Sequence, residues 1–146
     1  MLSEFLKGNS NFIDKVSSWE ESIVIASQPL IEKAYIELEY IQAMIENVRV
    51  NGSYIVIVPE IAMPHATTDK GVNKTSMSFL KLNEPVIFPG NHEVKLLFVL
   101  ATEDNTTHLE LLSDLSSILI EEEIKEMLKS AKNEEELVRV IKMVEE

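Results

Sequence analysis

The chain has 146 residues, of which 45% are hydrophobic and 26% charged, and it contains no cysteine. This length and composition predict one globular domain over residues 1–146, and the lack of cysteine excludes disulfides and thiol catalysis. The formal net charge of −12 disfavours binding to nucleic acid or to an anionic membrane surface, since both are negative, and favours a basic protein partner.

Neither an export signal nor a membrane span is expected from the sequence. The amino-terminal residues MLSEFLKGNSNF lack a basic segment followed by a long apolar run. A run of about 18 apolar residues, enough to cross a bilayer, occurs nowhere. We therefore expect the chain to work in the cytoplasm, without direct insertion into a membrane.

The amino-terminal half predicts two helices. Ser18 is followed three residues later by Glu21, which is the spacing of a capping box, and an apolar pattern of helical period begins there. A second helical pattern begins at Leu38 and ends at Asn51-Gly52, a pair that is typical of a helix carboxyl terminus.

Three apolar segments then predict strands. The runs YIVIV (residues 54–58) and KLLFVLA (residues 95–101) are typical of strands covered on both faces of a sheet, and we expect the second to be central. Residues 76–82 also have a strand pattern, and we interpret Glu84-Pro85 as the turn that follows them.

The carboxyl-terminal part returns to helical patterns. After the polar loop TEDNTT, a second capping box runs from Thr107 to Glu110 and opens a leucine stripe. Further helical segments begin near Ile124 and after Asn133. Helices before, between and after the strands predict an α/β fold, with helices on both faces of the sheet.

Two histidines lie where α/β folds bind ligands. His65 follows the 54–58 strand and stands between Pro64 and Ala66, and His108 lies in the first turn of the helix after the 95–101 strand. If these strands are neighbours, the two imidazoles converge at a helix amino terminus, where anions are favoured. A neutral imidazole nitrogen is a nucleophile near pH 7, so a phosphoryl group is the natural ligand and no cofactor is required.

The same residues also have structural interpretations. A histidine beside a proline is more often structural than catalytic, His108 is by default an exposed helix-start residue, and His92 is interpreted as a turn residue. The histidines lack the close spacing of a His-Glu-x-x-His motif, so no metal site is expected. Hydrolase elbows, phosphate loops and dinucleotide fingerprints are also absent from the sequence.

Three blocks of the sequence add a resemblance to these local patterns. GSYIVIVPEIAMPHA, DKGVNKTSMSFLKLNEPVIF and TEDNTTHLELLSDL resemble, in order and spacing, the enzyme IIA component of the bacterial phosphoenolpyruvate-dependent sugar phosphotransferase system, in its mannitol/fructose class (type 2). With SSWEESI and YIQAMIENV upstream, the resemblance covers nearly the whole chain. It is strongest to the ascorbate-type branch, although Thr67 stands where that branch commonly has arginine.

The resemblance implies a mixed sheet of about five strands flanked by helices, and a phosphotransferase activity without a cofactor. His65 would be phosphorylated by the carrier protein HPr and would pass the phosphoryl group to an enzyme IIB domain, which serves the membrane component, enzyme IIC. His108 would stabilise the phosphoryl group. Arg49, sixteen positions before His65, is matched to an arginine often found before the first block and would bind phosphate.

Two other functions remain open at this point. A regulatory domain of the same fold would use phosphorylated His65 to signal to a transcription factor or a transporter. A binding protein with a degenerate site is the other alternative, and the intact Pro64-His65 pair and His108 argue against it. The resemblance does not specify the sugar, because a IIA component never touches it.

Overall fold

The structure, a computed structural model, describes residues 2–145. Within this range it contains six helices and five strands, which in chain order are α1 Leu2–Leu6, β1 Ser10–Ile13, α2 Trp19–Glu32, α3 Leu38–Asn51, β2 Val56–Val58, β3 Glu60–Ala62, β4 Ser76–Phe88, β5 His92–Ala101, α4 Asn105–Leu119, α5 Glu122–Ser130 and α6 Glu134–Glu145. No helix in this range is both long and apolar enough to span a membrane.

The five strands form one mixed sheet in the order β1-β4-β5-β3-β2. Strands β1 and β4 are parallel, as are β3 and β5, whereas β4 and β5 are antiparallel, as are β2 and β3. The predicted α/β fold with a mixed sheet of about five strands in a single domain is confirmed. The 95–101 segment lies in β5 at the centre of the sheet, as predicted.

Helices cover both faces of this sheet. Because successive strand residues point to opposite faces, Leu97 packs with α2 and α3 in one apolar cluster, while Phe98 packs with α1, α4, α5 and α6 in the other. Both side chains are fully buried, and burial of a side chain of this size stabilises the fold by about 1.5–3 kcal/mol. The sheet is therefore held between two cores.

The ends of the first two long helices agree with the sequence. Ser18 caps α2 by accepting a hydrogen bond from the Glu21 amide at 3.1 Å, and the Glu21 carboxylate accepts one from the Ser17 amide at 2.7 Å. Helix α3 ends at Asn51, and Gly52 follows with a φ of 82°, a left-handed conformation that glycine adopts at low cost.

The prediction of a buried strand over residues 54–58 is wrong. Only Val56–Val58 is a strand, and this strand, β2, forms an edge of the sheet and is half-buried. Between β2 and β5 lies β3, which the sequence did not predict. Strand β3 is antiparallel to β2 and follows it after a tight turn at Pro59-Glu60. The apolar residues of β2 contact both cores, so their pattern resembles that of a central strand.

The prediction of a turn at Glu84-Pro85 is also wrong, because β4 continues to Phe88. The pairing of β4 with β5 shifts register between Lys81 and Val86. At this irregularity the amides of Asn83 and Glu84 donate to the Asp14 carbonyl at 3.1 and 2.9 Å. A proline, which has no amide hydrogen, is tolerated in a strand at such a bulge.

Helix α4 begins earlier than predicted. Asp104 is its amino-terminal cap and accepts hydrogen bonds from the amide and the hydroxyl of Thr107 at 2.7 and 2.9 Å, so the capping box placed at Thr107 is wrong. His108 remains in the first turn, where its amide donates to the Asp104 carbonyl at 3.1 Å. His92, predicted as a turn residue, is the first residue of β5 and pairs with Phe88.

The two amino-terminal elements, α1 and β1, were not predicted from the sequence either. They are short, at five and four residues, and a segment of that length shows little more than one helical turn or two strand repeats.

Candidate functional site

Two parallel strands bring the two candidate histidines together beyond the carboxyl-terminal ends of the strands. Strands β3 and β5 run in the same direction, and the Leu100 amide donates to the Pro64 carbonyl at 3.0 Å, so the pairing continues to the residue before His65. The ring centroids of His65 and His108 are 5.0 Å apart, with 54° between the ring planes. The expected convergence is present, although the strand beside β5 is β3 and not the 54–58 segment.

One ring nitrogen of His65 is already engaged. Its Nδ1 lies 2.6 Å from the carbonyl oxygen of Met63. A carbonyl can only accept, so Nδ1 carries the hydrogen and Nε2 of the neutral ring carries the free electron pair. Burial lowers the pKa of His65, and the bond to Met63 opposes this only in part. The neutral, nucleophilic form is therefore favoured at pH 7.

The backbone after His65 is held by Tyr40 of α3. The Ala66 amide donates to the Tyr40 hydroxyl at 3.0 Å, and this hydroxyl donates to the Leu100 carbonyl at 2.6 Å. Tyr40 is fully buried, and burial raises the pKa of its hydroxyl to about 12. The phenol thus keeps its proton and links the histidine loop to β5. Sequence reasoning missed this role, since Tyr40 belongs to the apolar stripe of its helix.

Two further residues near His65 were also missed. The Tyr54 ring meets the His65 ring edge-on, with 90° between the planes and 5.9 Å between the centroids. The Asn47 amide donates to the His65 carbonyl oxygen over a long 3.5 Å. No sequence signal pointed to Asn47, whereas Tyr54 directly precedes the apolar run that leads to the histidine.

His108 contributes a second imidazole, which lacks the hydrogen bond that the His65 Nδ1 makes. Its Nδ1 is buried without a hydrogen-bond partner among residues 2–145, and so is the hydroxyl oxygen of Thr102, directly after β5. Burial lowers the pKa of His108, and the neighbouring His65 lowers it further. Unpaired buried polar side-chain atoms are uncommon, and of the two found in the described part of the chain one directly follows β5 and the other is in the first turn of α4.

Arg49 pairs with acidic side chains in the structure. It lies in the last turn of α3, is half-exposed, and pairs with Glu20 at 3.6 Å and Glu46 at 3.9 Å. Residues two positions apart on a helix do not share a face, and Asn47 is the one directed at His65. Across residues 2–145, no hydrogen bond or ion pair joins Arg49 to either histidine.

The remaining surroundings of the site are open and contain both charge signs. A groove of about 420 Å³ adjoins the histidine loop, with Ala66 and Thr67 on one side and Glu39, Glu46 and Lys70 among its other lining residues. Thr67 is exposed, and its hydroxyl donates to the Asp69 carboxylate at 2.7 Å. No group of three His, Asp or Glu side chains in the described range is placed to bind a metal ion.

Chemically, the site presents an oriented imidazole whose neutral form is favoured, with a second imidazole at its side. A family model described as "Phosphoenolpyruvate-dependent sugar phosphotransferase system, EIIA 2" matches residues 4–144. The match includes both histidines and all five strands.

Individual relatives agree with this family. The chain is 39% identical to the mannitol-specific cryptic phosphotransferase enzyme IIA component of Escherichia coli (strain K12) over 142 residues, which are 96% of this chain and 97% of the relative. It is 31% identical to the ascorbate-specific PTS system EIIA component of the same organism over 130 residues, which are 87% of this chain and 84% of the relative.

A solved structure agrees as well. The complex of enzyme IIAMTL and phosphorylated enzyme IIBMTL from Escherichia coli contains a chain with a TM-score of 0.81 and 25% identity to this protein, over 93% of this chain and 95% of that one. Together with the match over residues 4–144, the fold and the relatives show that this chain belongs to the EIIA type 2 family of the phosphoenolpyruvate-dependent sugar phosphotransferase system.

Proposed function

We propose that this chain is a cytoplasmic phosphocarrier, in which His65 accepts a phosphoryl group from phosphorylated HPr and passes it to an enzyme IIB domain for sugar uptake through enzyme IIC. The observation that carries the proposal is the bond of the His65 Nδ1 to the Met63 carbonyl, with the His108 ring 5.0 Å away. This arrangement leaves Nε2 of His65 as the attacking atom.

In the first step, the electron pair of Nε2 attacks the phosphorus atom of phosphohistidine on HPr. The new Nε2–P bond forms as the N–P bond of the donor breaks, and the donor imidazole keeps that electron pair. The second step reverses the roles, since a nucleophile of the IIB domain attacks the phosphorus and His65 recovers its electron pair. The Met63 carbonyl holds the Nδ1 hydrogen throughout, so His65 needs no proton transfer.

His108 is the proposed stabiliser of the transferred group. Its Nδ1 is enclosed, so contact with a phosphoryl oxygen would go through Nε2. Phosphoryl transfer depends mainly on positioning and on donors aimed at the equatorial oxygens. A donor already in place beside His65 supplies this stabilisation without reorganisation during the reaction.

Arg49 is proposed as a phosphate-binding residue that joins the site after a side-chain rearrangement. Its present pairs with Glu20 and Glu46 are exposed and longer than 3.5 Å, and exposed ion pairs of this kind contribute no more than about 1 kcal/mol. Releasing them is therefore a small cost beside the attraction between a guanidinium and a phosphoryl group.

The comparisons support the phosphotransferase role but carry two different sugar names, mannitol and ascorbate. Residues that would contact a sugar belong to other components in this proposal, so the site itself favours neither name. We also propose an ascorbate-type system, because the three sequence blocks resemble that branch most strongly. Thr67 is the position at which the sequence differs from that branch.

The test is a reconstituted phosphorylation assay. The purified chain is incubated with phosphoenolpyruvate, enzyme I and HPr, and intact mass and peptide mapping then locate any acid-labile phosphate. We expect one phosphate, on His65, that is lost on addition of a mannitol-type or ascorbate-type IIB domain. Phosphate on another residue, or none, would contradict the proposal. Stable phosphate that no IIB domain removes would favour the regulatory alternative.

A further inference from the structure

Tyr54 occupies an unusual position for a large aromatic residue. It follows α3 in the loop before β2, and 49% of its surface is exposed. Its ring nevertheless contacts the His65 ring edge-on at 5.9 Å. A partly exposed aromatic ring therefore lies against the proposed nucleophile.

Asn47 connects this ring to the rest of the site. Its amide donates to the His65 carbonyl oxygen at 3.5 Å, and it also lies beside the Tyr54 hydroxyl, where it opposes the rise that burial causes in the pKa of Tyr54. Asn47 lies seven positions after Tyr40 on α3, which places both on one helix face. One face of α3 thus contacts the histidine loop at Ala66 and at His65.

The contacts around the His65 ring fix its orientation from several sides. Nδ1 is bonded to the Met63 carbonyl, the His108 ring lies on one side and the Tyr54 ring on another. Within residues 2–145, these two rings are the titratable side chains found in ring contact with His65. Without the Tyr54 ring, that side of the imidazole would be open to water, which competes for the hydrogen bond at Nδ1 and allows the ring to rotate.

We propose that Tyr54, with Asn47 beside it, is a positioning residue for His65: the phenol ring closes one side of the imidazole and keeps it in the orientation with Nδ1 on the Met63 carbonyl and Nε2 free. This inference rests on the proposed phosphocarrier function for its kinetic consequence. Its structural consequence, the orientation and tautomer of His65, concerns the unphosphorylated protein and is independent of that function.

The experiment compares Tyr54→Ala, Tyr54→Phe and Asn47→Ala with the parent protein and with Val50→Ala. Val50 is 71% exposed in the last turns of α3 and serves as the matched control for a truncated exposed side chain. For each protein, nitrogen-detected NMR gives the pKa and tautomer of His65, and rapid-mixing assays give the rate of phosphoryl transfer from HPr. Thermal unfolding measures the stability of each variant.

We expect Tyr54→Ala to raise the pKa of His65, because burial is what lowers it, and to reduce the Nδ1–H tautomer. The transfer rate should fall by about 10-fold, within the range that a misplaced reacting group costs. Tyr54→Phe keeps the ring and should retain most of the parent protein's His65 tautomer and transfer rate. The values for Asn47→Ala should lie between those of Tyr54→Ala and Tyr54→Phe. Val50→Ala should behave as the parent protein.

Unchanged His65 pKa, tautomer and transfer rate in Tyr54→Ala would overturn the inference. An equal loss of the Nδ1–H tautomer and of transfer rate in Tyr54→Ala and Tyr54→Phe would assign the effect to the hydroxyl and overturn a role for the ring. If the parent protein accepts no phosphate but Tyr54→Ala still changes the His65 pKa and tautomer, the phosphocarrier proposal fails and the positioning role stands. Should Tyr54→Ala unfold, Asn47→Ala and Tyr54→Phe measure the same quantities, and parent-like values in Asn47→Ala would contradict the inference.

Discussion

The two ends of strand β3 are held in different ways. At its start, Glu60 has a left-handed φ of 75° and pairs with Lys129 at 2.8 Å and Lys125 at 3.9 Å, both from α5. Beyond its end, His65 is held by a backbone carbonyl and by aromatic rings, and within residues 2–145 it has no ion pair. Charge fixes one end of the strand and neutral contacts fix the other.

This difference agrees with what the proposed role of His65 as a nucleophile requires. A carboxylate beside His65 would favour the protonated ring and raise its pKa, and a proton on Nε2 would block attack on phosphorus. Charged residues can therefore stiffen the strand only at a distance from the histidine. The ion pairs of Glu60 lie five positions before His65, where they stabilise a strained turn without changing the protonation of the ring.

The largest effect is expected at His65, beyond the end of β3, where the contacts are neutral. His65→Ala should abolish phosphoryl acceptance from HPr while the protein stays folded, because the residue is half-buried and contributes chemistry more than core packing. Intact-mass measurement after incubation with phosphorylated HPr checks this. The matched control is His92→Ala, an exposed histidine at the start of β5, which should still gain one phosphate. One phosphate on His65→Ala would show that another residue is the acceptor.

The next effect concerns the second imidazole. His108→Ala should still accept phosphate but should transfer it about 10- to 1000-fold more slowly, which is the range for removal of one preorganised donor. Single-turnover transfer to a IIB domain measures this step separately from the loading step. A rate equal to that of the parent protein would reduce His108 to a helix-start residue without a part in transfer.

These two positions also mark how far the sequence predicts the site. Both histidines could be named from their places after a strand and at a helix start, since those places depend on local patterns. Tyr40 and Asn47 could not, because their contacts with the histidine loop join it to a helix that is separate in sequence. Tyr54 was missed although it precedes the apolar run before His65, because its ring contact depends on the fold of the loop before β2. The sequence matched Arg49 to a family arginine, yet in the structure the side chain pairs with Glu20 and Glu46.

The fold shows the same division. Long periodic segments such as α2, α3 and the central strand β5 were predicted correctly, because each carries several repeats of one pattern. Strand β3 was missed since it has three residues and begins with a left-handed Glu60. The continuation of β4 past Pro85 was missed because a bulge paired to Asp14 depends on a segment about seventy residues earlier in the chain.

A smaller effect is expected at the charged end of β3. Lys129→Met removes the shortest ion pair of Glu60 and should lower the free energy of unfolding by about 1 kcal/mol, the value of a partly exposed charged hydrogen bond. The transfer rate from HPr should change less than twofold. Urea unfolding of this variant is compared with that of Lys132→Met, because Lys132 is exposed and forms no side-chain ion pair in residues 2–145. A large loss of transfer rate in Lys129→Met with unchanged stability would contradict the view that the ion pairs of Glu60 stabilise β3 without affecting His65.

The smallest effect is in the pH dependence of phosphoryl acceptance. Burial lowers the pKa of both His65 and His108, so the neutral form persists below the ordinary histidine value of about 6.5. The second-order rate at pH 6.5 should therefore exceed half of its plateau at higher pH. By the same linkage, the contribution of these histidines to stability is complete above about pH 6.5 and is lost as the pH falls through their lowered pKa values.

The titration has a clear contrary outcome. A half-maximal rate at a pH above 6.5 would mean that an acidic group acts on His65, against the neutral environment described here. The His65 pKa measured by NMR in the absence of HPr distinguishes this from a titration in the donor, and His108→Ala shows how much of the shift comes from the second imidazole.

The parallel pairing of β3 with β5 also has a consequence for folding. Strands β4 and β5 are joined by a short loop at residues 89–91, so their hairpin can form early from local contacts. Residue 60 of β3 pairs with residue 94 of β5, 34 positions later, and such a distant contact forms after a larger loss of chain entropy. The hairpin and α4 can therefore place His108 before β3 docks and places His65. Phosphate acceptance would then report that β3 has docked, and a chain stalled before that step could not carry a phosphoryl group.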